Sequence, residues 1–118
     1  MSLAEELLKI EVPSERVTVL GREFIVRGMS LNDKGAMLAR CRRKTDGMLD
    51  GAKLDREMLA NCVTVEQDGS TLTGEQWGKV PTHITAPLIA CGVELLGFDE
   101  DDIKRVKRDP KDSGSTEN

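Results

Sequence analysis

One stretch, residues 63–81, constrains the fold more than any other part of the chain. Its sequence, VTVEQDGSTLTGEQWGKVP, holds the only tryptophan among 118 residues. Val63 and Val65 alternate with polar residues as in a β-strand, and the pair Asp68-Gly69 is a strong signal for a tight turn. The stretch is too short and too polar to fold alone. We therefore expect it to pack on the rest of the chain.

The second half of this stretch predicts a return strand followed at once by a short helix. Thr71 and Leu72 are expected to complete a small hairpin. Thr73 is expected to cap the helix, and Gln76, three residues later, completes a capping box. Leu72 and Trp77 occupy the two positions of a hydrophobic staple. We therefore predict that Trp77 is a buried structural residue, packed on Leu72 and on the third long helix. A binding hot spot is the less favoured alternative.

A second hairpin is predicted nearer the N-terminus, in RVTVLGREFIVRG. Apolar residues alternate with polar ones on both sides of a tight turn: Val17, Val19, Phe24 and Val26. The turn is assigned to Gly21 and Arg22, because a two-residue loop with glycine first suits a type II′ turn. An isolated hairpin is only marginally stable, so this one must pack on other elements.

Three longer helices are predicted by apolar residues at helical spacing. The first follows Ser30, a favourable N-cap residue. The second spans residues 53–62, with Asp50 as a candidate cap. The third, expected to be the most buried, is regular from about Thr85 and ends at Gly97. The apolar stripes are Leu31, Met37, Leu38 and Cys41 in the first helix, Leu54, Met58, Leu59 and Cys62 in the second, and Ile84, Leu88, Cys91 and Leu95 in the third.

The two ends of the chain are expected to pack less tightly. Residues 3–10 form a short helix or a partly ordered arm. Residues 99–107 place acids first and bases last, which is typical of a short surface helix. The last residues lack apolar side chains and are expected to be disordered. We assign a single globular domain to residues 1–106, in which residues 1–14 can form a helical arm, and a disordered tail to residues 107–118.

The order of these elements predicts an α+β fold that is mostly α-helical. An N-terminal β-hairpin is followed by a small helical bundle that contains a second short hairpin. Tyrosine is absent, and the chain has only two phenylalanines and one tryptophan, so aliphatic residues and methionine must build the core. Such a core favours helices over an all-β sandwich, in which aromatic and β-branched residues dominate.

Composition and charge argue against several classes of protein. The formal net charge is −4, whereas a general nucleic-acid binder usually carries a clear basic excess. No apolar run approaches 18 residues, so we expect no membrane-spanning helix. The three cysteines show no CxxC spacing and indicate small buried hydrophobes in a reducing compartment. A zinc site would need all three cysteines and His83, at no recognised spacing. We therefore predict no nucleic-acid or membrane partner, no metal and no cofactor.

The sequence shows no pattern typical of an enzyme. The single histidine, His83, lies near a predicted helix start and is expected to be a polar residue of the cap region. A catalytic cysteine–histidine pair stays open by spacing, but it needs an exposed thiolate, and all three cysteines lie on apolar stripes. Glycine-rich phosphate loops and common hydrolase motifs are missing. We expect neither catalytic residues nor enzymatic activity.

Two stretches together resemble a known family. GREFIVRGMSLNDKGAMLARC combines a strand of the form F-x-V-R-G with a Ser-Leu-x-Asp helix start. In VEQDGSTLTGEQWGKVPTHITAPLIACGVELLGF, an acidic-Gly turn leads into a T-x-E-Q-W helix and then an apolar helix that ends in glycine. In this order they resemble the tail assembly chaperones of long-tailed bacteriophages with non-contractile, siphovirus-type tails. The resemblance covers about residues 16–98.

The resemblance implies a non-enzymatic role in tail morphogenesis. Members of this family coat the long apolar tape-measure protein, keep it soluble and help to recruit the major tail (tube) protein. They act in the cytoplasm of the bacterial host, and the chaperone is not expected in the mature virion. The alternative is a small structural head–tail or tail-completion adaptor that is retained in the virion.

Coating a rod requires many copies, so self-association is expected. Methionine side chains adapt to varied apolar targets, although burial in the core is their commoner use. Four of them are candidate partner contacts: Met29, Met37, Met48 and Met58.

Overall fold

The chain has an α+β fold in which an N-terminal hairpin is followed by helices. The computed structural model describes residues 2–98 and the backbone of residues 106 and 107. Within these residues there are five helices and five strands. In chain order they are α1 (Leu3–Lys9), β1 (Ser14–Val19), β2 (Arg22–Arg27), α2 (Leu31–Arg40), β3 (Leu49–Asp50), α3 (Gly51–Cys62), β4 (Val63–Val65), α4 (Gly74–Trp77), α5 (Thr82–Leu96) and β5 (Val106–Lys107).

The predicted N-terminal hairpin is present, but its turn lies one residue earlier than expected. Val19 pairs with Arg22, and the loop consists of Leu20 and Gly21. Both loop residues have positive φ, 51° and 78°, which is the pattern of a type I′ turn. The predicted type II′ turn at Gly21 and Arg22 is therefore wrong. Either register places the same four apolar side chains on one face, so the alternation could not separate them.

Val63–Val65 forms the third strand of this sheet instead of a separate hairpin. It pairs antiparallel with β2, with Phe24 opposite Val65 and Val26 opposite Val63, so the strand order is β1-β2-β4. The turn at Gly69 does form. Residues 71 and 72 belong to no strand, so the predicted second hairpin is wrong. β4 therefore pairs with β2 of the first hairpin, and not with the return strand that was expected at residues 71 and 72.

The helix caps form as the sequence predicted. The Ser30 side chain accepts a hydrogen bond from the backbone N–H of Asp33 at 3.2 Å. Asp50 caps α3, which begins at Gly51, two residues earlier than expected. Thr73 forms the full capping box at α4. α5 ends at Gly97, which has φ 69° and the left-handed conformation that favours glycine.

The core lies between the sheet and the helices α3 and α5. All four stripe residues of α3 are buried, as predicted, and only Lys53 and Asn61 of this helix are exposed. α3 contacts α2, α4, α5 and the sheet. It is therefore α3, and not the third long helix, that is buried on most sides. α5 contacts the sheet and α3 with one face, and it begins at Thr82, which places Pro87 inside the helix.

Two further expectations differ from the structure. Leu31 does not join the buried stripe of α2, because it is the first helical residue and its side chain is 83% exposed. Val106 and Lys107 form a strand parallel to β3, opposite Leu49 and Asp50. A helix was expected over residues 99–107, but residues 106 and 107 form a strand. Lys107 is therefore not part of a disordered tail. Residues 99–105 and 108–118 lie outside the described residues.

Candidate partner-binding surfaces

Helix α1 exposes its apolar side chains to solvent. Ser2 and Glu5 form a capping box at its start. Leu3, Leu7 and Ile10 are spaced by four and three residues, which places them on one face of a helix. Together with Leu8 they are between 68% and 88% exposed, and no residue of α1 is buried. Contiguous exposed apolar patches are more often sites of protein–protein contact than single, scattered apolar residues are.

Two other large apolar side chains are exposed on the body of the domain. Leu31, at the start of α2, was described above. Leu20, in the hairpin turn, is 71% exposed. Its φ of 51° is uncommon for a residue with a bulky side chain, and asparagine, aspartate or glycine is usual in that position. Sequence reasoning placed Leu31 on a buried stripe and did not single out Leu20, although a leucine next to the glycine of a tight turn was a usable signal.

A cleft, called here the α2 cleft, lies between the start of α2, the end of β2 and the segment that precedes β1. It has a volume of about 430 Å³. Its lining consists of Val12, Arg27, Gly28, Met29, Ser30, Asp33, Ala36, Arg40 and Asn61. Gly28 is closely surrounded, since a Cβ atom there would lie 3.2 Å from Pro13 and 3.3 Å from the Leu95 carbonyl oxygen. Any side chain at this position would therefore crowd Pro13 and the backbone of α5.

A second hollow, called here the Trp77 pocket, is more apolar and has a volume of about 370 Å³. Six apolar side chains line it, with Pro81: Phe24, Val65, Leu72, Trp77, Val80 and Ile84. Arg22 and His83 complete the lining and are both exposed.

Trp77 is a structural residue of this pocket. It is only 3% exposed, which confirms the predicted burial. Leu72 is half-buried and lines the same pocket. The ring centroid of Trp77 lies 6.5 Å from that of Phe24. Its indole N–H has no hydrogen-bond acceptor in the part of the chain that the structure describes, so the side chain is held by packing.

The four candidate methionines divide into two pairs. Met37 and Met58 are core residues, with 0% and 2% of their surface exposed. Because α2 and α3 turn their apolar faces inward, these two side chains have no surface to offer a partner in this conformation. Their prediction as partner contacts is corrected accordingly. Met29 and Met48 are half-buried, and Met29 lines the α2 cleft.

The cysteines have the properties of unreactive thiols. Burial is the main cause that raises the pKa of Cys41 and of Cys62 from 9.0 to about 11. Burial also raises the pKa of Cys91 to about 11, helped by a hydrogen bond of 3.1 Å from its Sγ–H to the Glu15 carboxylate. A nucleophilic cysteine needs the opposite shift.

The described residues form several surface ion pairs but no cluster of metal-binding side chains. No group of three or more His, Cys, Asp and Glu side chains within residues 2–98 is arranged to hold a metal ion. Arg40 pairs with Glu57 at 2.9 Å, and Arg16 pairs with Glu66 and, at 3.5 Å, with Glu23. Exposed pairs of this kind contribute little stability. No helix in the described ranges has the length and apolar character needed to cross a membrane.

Comparison of the chain with protein-family models, with curated proteins and with solved structures found no match.

Proposed function

We propose that this protein is a tail assembly chaperone of a siphovirus-type bacteriophage, which binds and solubilises the tape-measure protein and helps to recruit tail-tube subunits. The observation that carries the proposal is the amount of apolar surface on a small, charged domain. Six large apolar side chains within residues 2–98 are between 68% and 88% exposed. Together with the resemblance in residues 16–98, this supports a protein that works by covering the apolar surface of others.

The α2 cleft is the proposed contact for the tape-measure protein. Met29 supplies an adaptable apolar wall, and the exposed Leu31 directly follows the lining residue Ser30 in the chain. A long apolar helix in water aggregates, and covering it contributes roughly 25 cal/mol per Å² of apolar surface. Few charged contacts at a surface reach a comparable sum, so the complex should persist at moderate salt.

Co-expression with the cognate tape-measure protein tests the proposal. The chain should keep that protein soluble and co-purify with it, without added nucleotide or metal. Leu31→Glu should reduce co-purification strongly, because it places a charge in the apolar contact. Asn32→Glu is the matched control, since the same charge is added one residue along the same exposed helix start. Failure of the wild-type pair to co-purify would overturn the proposal.

Mass spectrometry of purified particles separates this function from a structural adaptor. A chaperone acts in the host cytoplasm and leaves the assembled tail, so its peptides should be missing from finished virions. A fixed low copy number in virions would favour the head–tail or tail-completion adaptor instead.

A further inference from the structure

We propose that α1 of one copy binds in the Trp77 pocket of a second copy, so that copies join head to tail. This contact rests on the proposed function only in that a coating protein must bind copies of itself. It requires no tape-measure protein and is tested in its absence.

Helix α1 has the form of a ligand helix. Its apolar residues at positions 3, 7 and 10 make a short stripe of the kind that inserts into a groove on a partner protein. The capping box holds the first turn without help from the body of the domain. All side chains of the stripe are exposed, so docking would remove their apolar surface from water.

The Trp77 pocket has the matching chemistry. Its floor is apolar, and its volume of about 370 Å³ lies in the range of protein pockets that bind compact apolar groups. Leu20, exposed in the hairpin turn, precedes Gly21 and the pocket residue Arg22.

Charge complementarity selects α1 as the occupant. The helix carries two exposed acids, Glu5 and Glu6, in its first turn and one exposed base, Lys9, in its last turn. Arg22 is exposed at the rim of the pocket, and His83 adds a hydrogen-bonding side chain there. No Asp or Glu is among the pocket-lining residues in the described structure, and Arg22 has no ion-pair partner within residues 2–98. The acidic first turn of the helix thus meets a cation that has no ion-pair partner among the described residues.

The two surfaces lie toward opposite ends of the hairpin. α1 precedes Ser14, which pairs with Arg27 at the open end, whereas Arg22 pairs with Val19 at the turn end. A strand of six residues spans roughly 17–20 Å. The site from which the arm leaves and the rim of the pocket are therefore well separated on one molecule.

The connection between α1 and the sheet is also short. The Pro13 carbonyl accepts a hydrogen bond of 2.7 Å from the Gly28 N–H, which extends the β1–β2 pairing to Pro13. Residues 10–12 are left as the connection, and three residues reach about 10 Å at full extension. α1 itself adds about 10 Å at 1.5 Å per residue, so the arm's own pocket lies at the limit of its reach and the pocket of another copy is favoured. A contact between two different surfaces can close by reciprocal exchange in a dimer or continue into a chain of copies, and we propose the chain because a rod must be coated along its length.

Sedimentation velocity at rising concentration tests the contact with the full chain alone. Wild-type protein should associate reversibly. The double variant Leu3→Glu/Leu7→Glu should weaken association by about tenfold or more, since it removes two apolar anchors. Leu31→Glu is the matched control, because Leu31 and Leu3 are almost equally exposed, at 83% and 81%; it should associate as wild type does. A strictly monomeric wild type, or equal weakening by the control, would overturn the proposal.

Charge reversal tests the proposed pairing of surfaces. Glu6→Lys and Arg22→Glu should each weaken association about twofold to fivefold, as expected for a charge at the rim of an interface. Combining both changes in one chain should restore part of the loss, because every contact then regains opposite charges. Additive weakening in the combined variant would contradict the arrangement.

Disulfide trapping distinguishes a neighbour's pocket from the arm's own. In a Cys91→Ser background, Leu7→Cys protein is mixed with Val80→Cys protein and oxidised. A cross-linked dimer that forms only in the mixture supports exchange of the arm between copies. In a chain that carries both cysteines, a cross-linked monomer in place of larger species would show docking within one chain and would overturn the proposal.

The outcomes are separable from those of the proposed function. Loss of association in the α1 variants with tape-measure binding retained bears only on the arm. Loss of tape-measure binding in Leu31→Glu with association retained bears only on the α2 cleft.

Discussion

The Phe24 and Trp77 rings lie 6.5 Å apart and are inclined at 52°, so that the middle strand of the sheet is joined to the short helix α4. Tilted aromatic pairs at this distance add stability beyond the area they bury. α4 has only four residues, and this contact holds it together with the capping box and its packing on α3. The single tryptophan therefore reports on the junction of sheet and helix.

We expect Trp77→Ala to lower the free energy of unfolding by roughly 3–5 kcal/mol, the usual cost of emptying a buried aromatic site. Trp77→Phe should cost clearly less, because it keeps a ring against Phe24 and removes an indole N–H that has no acceptor among the described residues. Chemical denaturation of both variants measures the difference. Fluorescence of the native wild type should be that of a buried indole, and a solvent-exposed spectrum would contradict the structure.

Gly35 in α2 and Gly92 in α5 should respond oppositely to alanine. A Cβ at Gly35 meets no heavy atom within 4 Å, so Gly35→Ala should stabilise the protein by up to about 1 kcal/mol through helix propensity. A Cβ at Gly92 would lie 2.7 Å from the Met58 sulfur, and overpacking costs about 1–3 kcal/mol. Thermal unfolding compares the two variants. Equal shifts in Tm would mean that Met58 does not pack on Gly92 as described.

The caps of α2 and α4 should contribute independently. Ser30→Ala and Thr73→Ala each remove the acceptor for a backbone N–H, at 3.2 Å in both cases, and should each cost about 1 kcal/mol. Asparagine at either position should retain most of the stability. The double variant should show the sum of the two losses, measured by urea denaturation, because the caps share no partner.

Stability should fall as the pH rises from about 9 to 11. The buried Cys62 thiol has a pKa raised by burial from 9.0 to about 11, so the folded chain retains a proton that the unfolded chain releases in this window. The contribution is fully present below pH 9 and is lost as pH approaches the folded pKa. In Cys62→Ala, the slope of the unfolding free energy against pH should be smaller. An unchanged slope would exclude the thiol as its source.

Removing residues 2–10 should leave the stability of the domain nearly unchanged. No side chain of α1 is buried, so its loss uncovers no core. The expected change in Tm is within about 2 °C, by the size of effect typical of surface changes in a domain this small. A large drop would mean that α1 packs on the body of its own chain in solution.

Local signals explain which parts of the fold could be predicted from the sequence. Each cap depends on residues within four positions of one another, so Ser30 and Thr73 were predicted correctly. The hairpin itself was equally local. Its register could not be predicted, because Val17 and Val19 fall on the same face in either of two alignments, and Gly21 suits the positive φ that both turn types require there.

Long-range pairing explains most of the errors. Val63–Val65 carries a strand pattern, but the pattern does not say which strand it joins, and the nearby turn at Gly69 suggested the wrong partner. The exposure of Leu31 depends on where the chain enters α2, since helical spacing alone assigns it to the apolar face. The candidate surfaces were harder still to predict. The exposure of α1 and the lining of the Trp77 pocket can be recognised only when the burial of the other apolar residues is known.

Pro87, the sixth residue of α5, has a consequence for the rate at which the Trp77 pocket can change shape. Proline has no N–H to donate to the carbonyl four residues earlier, that of His83, so the first turn of α5 is tied less firmly to the remainder of the helix. His83 and Ile84 belong to that turn and form one wall of the pocket. The wall can therefore open by local fraying while the sheet and α3 stay folded, and its amide protons should exchange with solvent well before those of Leu88 and the following turns.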